Sequence, residues 1–291
     1  MHTFIDFPNL GIHLANVGKS LTIHGFSIAY YGMVIGLGIL CGIALATTIA
    51  RKTGQKPDMY YDLAIYGVVA GIAGARIYYV IFSWEDYKDN LFSILNLRGG
   101  GLAIYGGVIG AVLTMVVYSR ITHANLGLIA DTVGPCLALG QMMGRWGNFF
   151  NREAFGEYTD GLFAMRLPVD AVRSWDITEK MQSHLQVIDG VDTIQVTPTF
   201  LFESMGCCLI VILLLLYTKH KAFHGEVFLL YLAGYGFLRF WIERLRTDSL
   251  MLPGGVIKVS QLLAAILFLG SLAVIAVVRL KKRTVLREGK N

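Results

Sequence analysis

Six charged residues, Arg76, Asp131, Arg145, Glu203, Arg239 and Glu243, stand inside long apolar stretches of the sequence. A charge at the centre of a membrane-crossing helix costs at least about 2.5 kcal/mol, so such residues face a bundle interior, where they carry function or neutralise one another as ion pairs. Tyr235, Arg239, Glu243 and Arg246 are spaced by four, four and three, which stacks them as a polar stripe along one helical face. Upstream, Gly144-Arg145-Trp146-Gly147-Asn148-Phe149-Phe150-Asn151-Arg152-Glu153 puts Arg145 and Asn148 three apart on one side, with Asn151 and Glu153 where that helix should end. Gly140, Gly144 and Gly147 remove bulk there and let a neighbouring helix or a ligand approach the backbone. Arginines on two different helices suit an anion, because a planar guanidinium takes two phosphate oxygens at once. At the edge of a bilayer that anion is the phosphodiester of a lipid headgroup. Asn148 and Asn151 either orient glycerol hydroxyls and esters, or serve as helix caps and interhelical hydrogen bonds.

These residues need apolar helices to hold them. Of the 291 residues 55% are hydrophobic and 15% charged, whereas soluble chains carry about 25% charged residues. So few charges cannot clothe a soluble surface. The 33 glycines are scattered through the apolar stretches, as in helices that pack closely within a membrane. A span needs about 20 apolar residues, and seven stretches qualify or nearly so: 26–50, 60–82, 102–118, 126–149, 200–217, 227–242 and 256–278. The third is short, and the Gly99, Gly100, Gly101 lead-in suggests irregular backbone at membrane depth, tolerated only where it is buried or lines a cavity. Residues 1–19 lack a basic region followed by a short apolar core, so a cleaved secretion signal is not expected.

Basic residues in short loops set orientation. Arg51, Lys52 and Lys56 follow the first span, Arg120 and His123 the third, Lys219 and Lys221 the fifth, and Arg279, Lys281, Lys282, Arg283, Arg287 and Lys290 the last. These should face the cytoplasm. The loop after the second span mixes Glu85, Asp86 and Asp89 with Lys88 and Arg98, and residues 151–197 hold eight acids against four bases. Both should face outward, with the N-terminus outside and the C-terminus inside. The basic tail reads as a topology signal and anionic-lipid contact, not as a nucleic-acid site. Cys41, Cys136, Cys207 and Cys208 lie in apolar runs without metal-ligand spacing and read as packing residues. No metal and no cofactor is expected, and the motifs of nucleotide-binding loops, zincins and serine hydrolases are missing.

The segment Gly144-Arg145-x-Gly147-Asn148-Phe149-Phe150-Asn151-x-Glu153-x-x-Gly156 resembles the signature of the bacterial phosphatidylglycerol:prolipoprotein diacylglyceryl transferases. Further segments resemble that family in the same order: Tyr31-Gly32, Gly74-Ala75-Arg76, Gly100-Gly101-Leu102-Ala103-Ile104-Tyr105-Gly106-Gly107, Pro198 with Glu203, and Gly234-Tyr235-Gly236 through Arg239 and Glu243. The likeness therefore runs along nearly the whole chain. It implies transfer of the diacylglyceryl group of phosphatidylglycerol to the lipobox cysteine of a preprolipoprotein, with glycerol phosphate leaving and a thioether forming. Under that reading Arg145, Arg239, Glu243 and Tyr105 are the catalytic candidates. Phosphatidylglycerol is bound by Arg145, Asn148, Asn151, Glu153, Gly156, Tyr31, Tyr235, Arg239, Arg76 and Glu203.

Two positions depart from the family. Many members have a histidine where Tyr105 stands, and a phenol with a pKa of about 10 is a poor base at neutral pH. A His-Pro pair common in the family is Thr197-Pro198 here. Either the base lies elsewhere or none is needed, since a thiol of pKa about 8.5 is already a few per cent ionised at neutral pH. Tyr105 is then expected to position or hydrogen-bond lipid.

The expected fold class is all-α: a polytopic membrane protein of about seven transmembrane helices with a small extracytoplasmic cap between spans four and five. Residues 1–291 are read as one membrane-embedded catalytic domain, with 151–197 as the cap, in the bacterial cytoplasmic membrane. The stretch 157–196, with Arg166, Pro168 and Trp175, either contacts the signal peptide or headgroups or is a solvated loop. The rival reading is a transporter of an anionic solute, which would also bury arginines and acids in a bundle; the paired halves common among transporters are not evident.

Overall fold

The computed structural model describes residues 2–97, 100–252, 255 and 258–288. Arg98, Gly99, Val256 and Lys290, named above, lie outside the described residues. The chain is mostly helical: α1 (Tyr30–Lys52), α2 (Asp58–Phe82), α3 (Ile104–Thr122), α4 (Leu126–Asn151), α5 (Glu179–Gln182), α6 (Thr199–Tyr217), α7 (Glu226–Leu245) and α8 (Val259–Glu288). Among the described residues seven short strands accompany them: β1 (Ile5–Phe7), β2 (Ile12–Leu14), β3 (Ser20–Ile23), β4 (Phe26–Ala29), β5 (Met165–Pro168), β6 (Gln186–Ile188) and β7 (Val191–Val196).

Among the described residues, six helices, α1, α2, α3, α4, α6 and α8, are long and apolar enough to cross a membrane. Only 11% of the apolar stretch of α8 is buried, so its Leu262, Ile266, Leu269 and Val277 face outward, as lipid-facing side chains do. The expected sixth span is α7. At 20 residues it has the length, but Glu226, Arg239, Glu243 and Arg244 keep it below the apolarity of the others. The first helix also starts later than expected: Phe26–Ala29 is β4, paired antiparallel with β3 from Leu21↔Ile28 to Ile23↔Phe26. That pairing puts Leu21, Ile23, Phe26 and Ile28 on one face, all exposed. Their apolarity explains the misassignment, because a short apolar run does not distinguish strand from helix.

The chain divides into two compact units, Met1–Gly42 with Gly134–Asn291, and Ile43–Val133. In the first, a five-stranded antiparallel sheet of order β2-β1-β5-β7-β6 joins the N-terminal strands to the cap. Its buried side chains Ile5, Phe7, Met165, Leu167, Ile194 and Val196 pack in one apolar cluster with Phe149 at the end of α4 and Phe200 at the start of α6. The segment between α4 and α6 is thus a folded module anchored to the two helix ends that flank it. Arg152, buried in left-handed backbone, reinforces this by donating to the carbonyls of Thr3 (2.7 Å) and Val17 (2.5 Å). Burial lowers the Arg152 pKa and the charge of Asp170 partly restores it. At the far end of α7, buried Glu226 pairs with Arg279 of α8 at 2.5 Å.

In the second unit, α2 and α3 pack almost backbone to backbone. A Cβ at Gly74 or at Gly106 would overlap the other residue's carbonyl oxygen. Glycine is what the close approach requires.

Candidate functional site

Polar side chains of α4, α6 and α7, all in the first unit, form one connected chain with Glu153. Asn148, on the last turn of α4, accepts from Arg145 Nη1 at 3.2 Å and donates to Glu153 Oε1 at 3.0 Å. Asn151 donates to the same Glu153 oxygen at 3.3 Å. Arg145 Nε lies 3.5 Å from Glu203 Oε2 of α6. Arg239 of α7 donates from Nη1 to that oxygen at 3.2 Å and sets Nη2 2.5 Å from Glu243 Oε2, while Tyr235 Oη donates to Glu203 Oε1 at 3.1 Å. Three helices therefore contribute to the cluster, and the four-residue spacing from Tyr235 to Arg239 to Glu243 keeps their polar groups on one side of α7.

Burial sorts the members. The Glu203 and Glu243 side chains are sealed at 2% exposure, whereas those of Arg145 and Arg239 keep 23% and 16%. Buried carboxylates next to guanidinium groups hold them in a fixed direction, and the cations are the part that an arriving anion can reach. Arg239 is more tightly engaged than the sequence suggested, since it stands between two carboxylates. Glu203, expected among the lipid ligands, is the shared counter-ion of both arginines.

The other expected residues have partners of their own. The ring of Tyr31, near the start of α1, packs on Gly147, where a Cβ would lie 2.5 Å from the ring. Gly156 bridges to Arg246 and donates its N–H to Thr197 O at 2.9 Å. Arg246 itself leaves the expected stripe: it follows the end of α7 in extended backbone and binds Asp248 at 2.7 and 2.9 Å. Arg76 and Tyr105 belong to the second unit. Arg76 is buried there against main-chain oxygens, and Tyr105, the second residue of α3, is 41% exposed with its ring 6.4 Å from that of Tyr78. The four cysteines are free thiols.

Sequence reasoning missed three cations. Arg173 of the cap reaches Glu153 Oε2 at 4.0 Å and binds Asp176 at 2.8 Å, extending the polar chain outward from the signature. Lys258, before α8, donates to the carbonyls of Glu243 (2.7 Å) and Arg246 (2.8 Å). Arg152 lies within the signature, but two of its three carbonyl partners are more than a hundred residues away in the chain. Only its place in the motif could have singled it out.

A family model for prolipoprotein diacylglyceryl transferase matches residues 19–277. The chain belongs to the prolipoprotein diacylglyceryl transferase family. A phosphatidylglycerol–prolipoprotein diacylglyceryl transferase of Finegoldia magna is 39% identical over 272 residues, covering 93% of this chain and 98% of its own length. Proteins of the same name from Bacillus cytotoxicus and Clostridioides difficile are each 40% identical, over 87% and 91% of this chain and 89% and 95% of theirs. This transferase family accounts for the apolar helices and the signature together, and none of these relatives supports the transporter reading.

Proposed function

We propose that this protein transfers the diacylglyceryl group of phosphatidylglycerol to the lipobox cysteine thiol of preprolipoproteins, giving a thioether and glycerol phosphate. The observation that carries the reading is the pair of partly reachable guanidinium groups, Arg145 and Arg239, held from two helices by one sealed carboxylate, Glu203. The substrate sulfur attacks the glyceryl carbon that bears the phosphate oxygen. A C–S bond forms, the C–O bond breaks, and its electron pair leaves on the phosphate, which goes from one negative charge toward two. The thiol proton is released in forming the attacking thiolate. Fixed cations that sense the growing charge lower the barrier, an effect of about 3–4 kcal/mol for a single well-placed donor.

In this reading Arg145 and Arg239 grip the phosphate, Glu203 and Glu243 orient them, and Asn148, Asn151 and Glu153 shape the glycerol end with Tyr31, Gly156 and Tyr235. Tyr105 hydrogen-bonds lipid. The nucleophile is the substrate's own cysteine. The site faces outward in the bacterial cytoplasmic membrane, with the N-terminus outside and the C-terminus cytoplasmic, and the cap of 151–197 meets the incoming signal peptide. The deciding experiment incubates purified protein with radiolabelled phosphatidylglycerol and a lipobox peptide. A labelled thioether adduct is expected; uptake of an anion into proteoliposomes without lipid consumption would overturn the proposal.

A further inference from the structure

Arg76 is 6% exposed, in the second half of α2. A guanidinium has five N–H donors, and the oxygens around this one are all main-chain carbonyls. Nε donates to Ile94 O at 2.7 Å. Nη1 donates to Gly100 O at 2.8 Å and Gly101 O at 3.0 Å. Nη2 donates to Ser93 O at 2.8 Å and Asn96 O at 3.2 Å. The Tyr87 ring lies 5.0 Å from the guanidinium carbon. Five donors meet five carbonyls, so every donor is used and none is left for a phosphate oxygen.

The carbonyls come from both sides of one connection. Ser93 and Ile94 lie at the end of the 3-10 turn Leu91–Leu95, and Asn96 caps it, donating its own N–H to Ser93 O at 3.1 Å. Gly100 and Gly101 lie just before α3, in left-handed backbone at φ 84° and 73°. The preceding residue of α2, Ala75, accepts the Ala103 N–H at 3.0 Å. One side chain thus draws the two sides of the loop together and fixes where α3 begins, with Tyr105 as its second residue. The fit is close: a Cβ at Gly101 would lie 2.5 Å from Arg76 Nη1 and 2.8 Å from the Tyr79 ring.

We infer that Arg76 is a positioning residue that clamps this loop and sets Tyr105 for the reaction, and is not a ligand of the lipid phosphate. The inference rests on the proposed transfer reaction and deepens it. Lysine separates the two roles. An ammonium keeps the charge a phosphate needs, but its three donors on a flexible stem cannot replace a fork holding five carbonyls.

The test compares Arg76→Lys, Arg76→Gln and Gly101→Ala in the full chain, by thioether formation and by amide hydrogen exchange of 91–103 against the other helices. Arg76→Lys and Arg76→Gln are expected to lose turnover alike, with exchange rising about tenfold or more in this loop and unchanged in α6 and α7. Gly101→Ala, which leaves the charge intact but pushes into the guanidinium, is expected to repeat both effects. Substantial rescue of turnover by lysine, or a protected loop in all three variants, would overturn the inference. Exchange reads the clamp without any turnover, so a protein that proves unable to use phosphatidylglycerol sinks the transfer reading and leaves the clamp to be judged separately.

Discussion

Arg145 and Arg239, carried on α4 and α7, meet at a single oxygen: Glu203 Oε2 lies 3.5 Å from the first and 3.2 Å from the second. The two cations would repel each other without that buried charge between them. Their separation and direction are therefore properties of α6 as much as of their own helices.

Removing either cation should be costly. Arg145→Ala and Arg239→Ala, at matched protein levels in membranes, are each expected to lower diacylglyceryl transfer by about 10²–10³-fold, the cost of one charge-stabilising donor. Near-normal turnover in both would remove them from the mechanism.

Glu203→Gln keeps the shape and removes the charge. Breaking a buried pair leaves an uncompensated cation, which costs about 3–5 kcal/mol, so a clear fall in the thermal midpoint in detergent is expected alongside loss of transfer. An unchanged midpoint would show that the arginines find other partners.

The cap contact should matter far less. Arg173 is 44% exposed and 4.0 Å from Glu153, and exposed pairs contribute about 0–1 kcal/mol. Arg173→Ala is expected to keep turnover within about fivefold of the parent; a loss as deep as that of Arg145→Ala would place Arg173 in direct contact with substrate.

A pH effect follows from Asp248. Burial by itself would raise its pKa, but the hydrogen bonds and charge of Arg246 hold it below the ordinary carboxylate range. A lowered pKa in the folded state means stability that is present above the unfolded value of about 4 and is lost as pH falls through the lower folded value. Asp248→Asn should reduce the midpoint at neutral pH and flatten its fall below about pH 4. Parallel curves for the two proteins would refute the linkage.

Replacing Cys41, Cys136, Cys207 and Cys208 together with serine or alanine is expected to leave transfer chemistry intact, whatever the packing cost at buried Cys207. Specific loss of turnover in a folded variant would mean that the chain supplies a thiol itself. Tyr105→Phe should cost much less than either arginine change, and an equal loss would give its hydroxyl a chemical part.

The helices and the central cations were legible in the sequence because both follow local rules. Apolar length marks a span, and spacing by four aligns Tyr235, Arg239 and Glu243 whatever surrounds them. Arg246 broke from the stripe because α7 stops at Leu245, and helix ends have weaker signals than helix interiors. The role of Arg76 was hidden because its partners are carbonyls, which every residue has. The sheet was hidden for a related reason: β1 and β2 are three residues each and gain their meaning only from β5. Glu203 showed as a buried acid, but that it serves both arginines is a fact of packing.

That sheet also orders events during synthesis. Asp6 lies opposite Arg166, so β1, paired with β2 as soon as both are made, waits for its second partner about 160 residues behind it. At about 5–20 residues per second, the delay is on the order of ten seconds, with α1 to α4 emerging in between. Until β5 arrives, Ile5 and Phe7 belong to a two-stranded β1–β2 hairpin alone, and the sheet can close only after four long helices have been made.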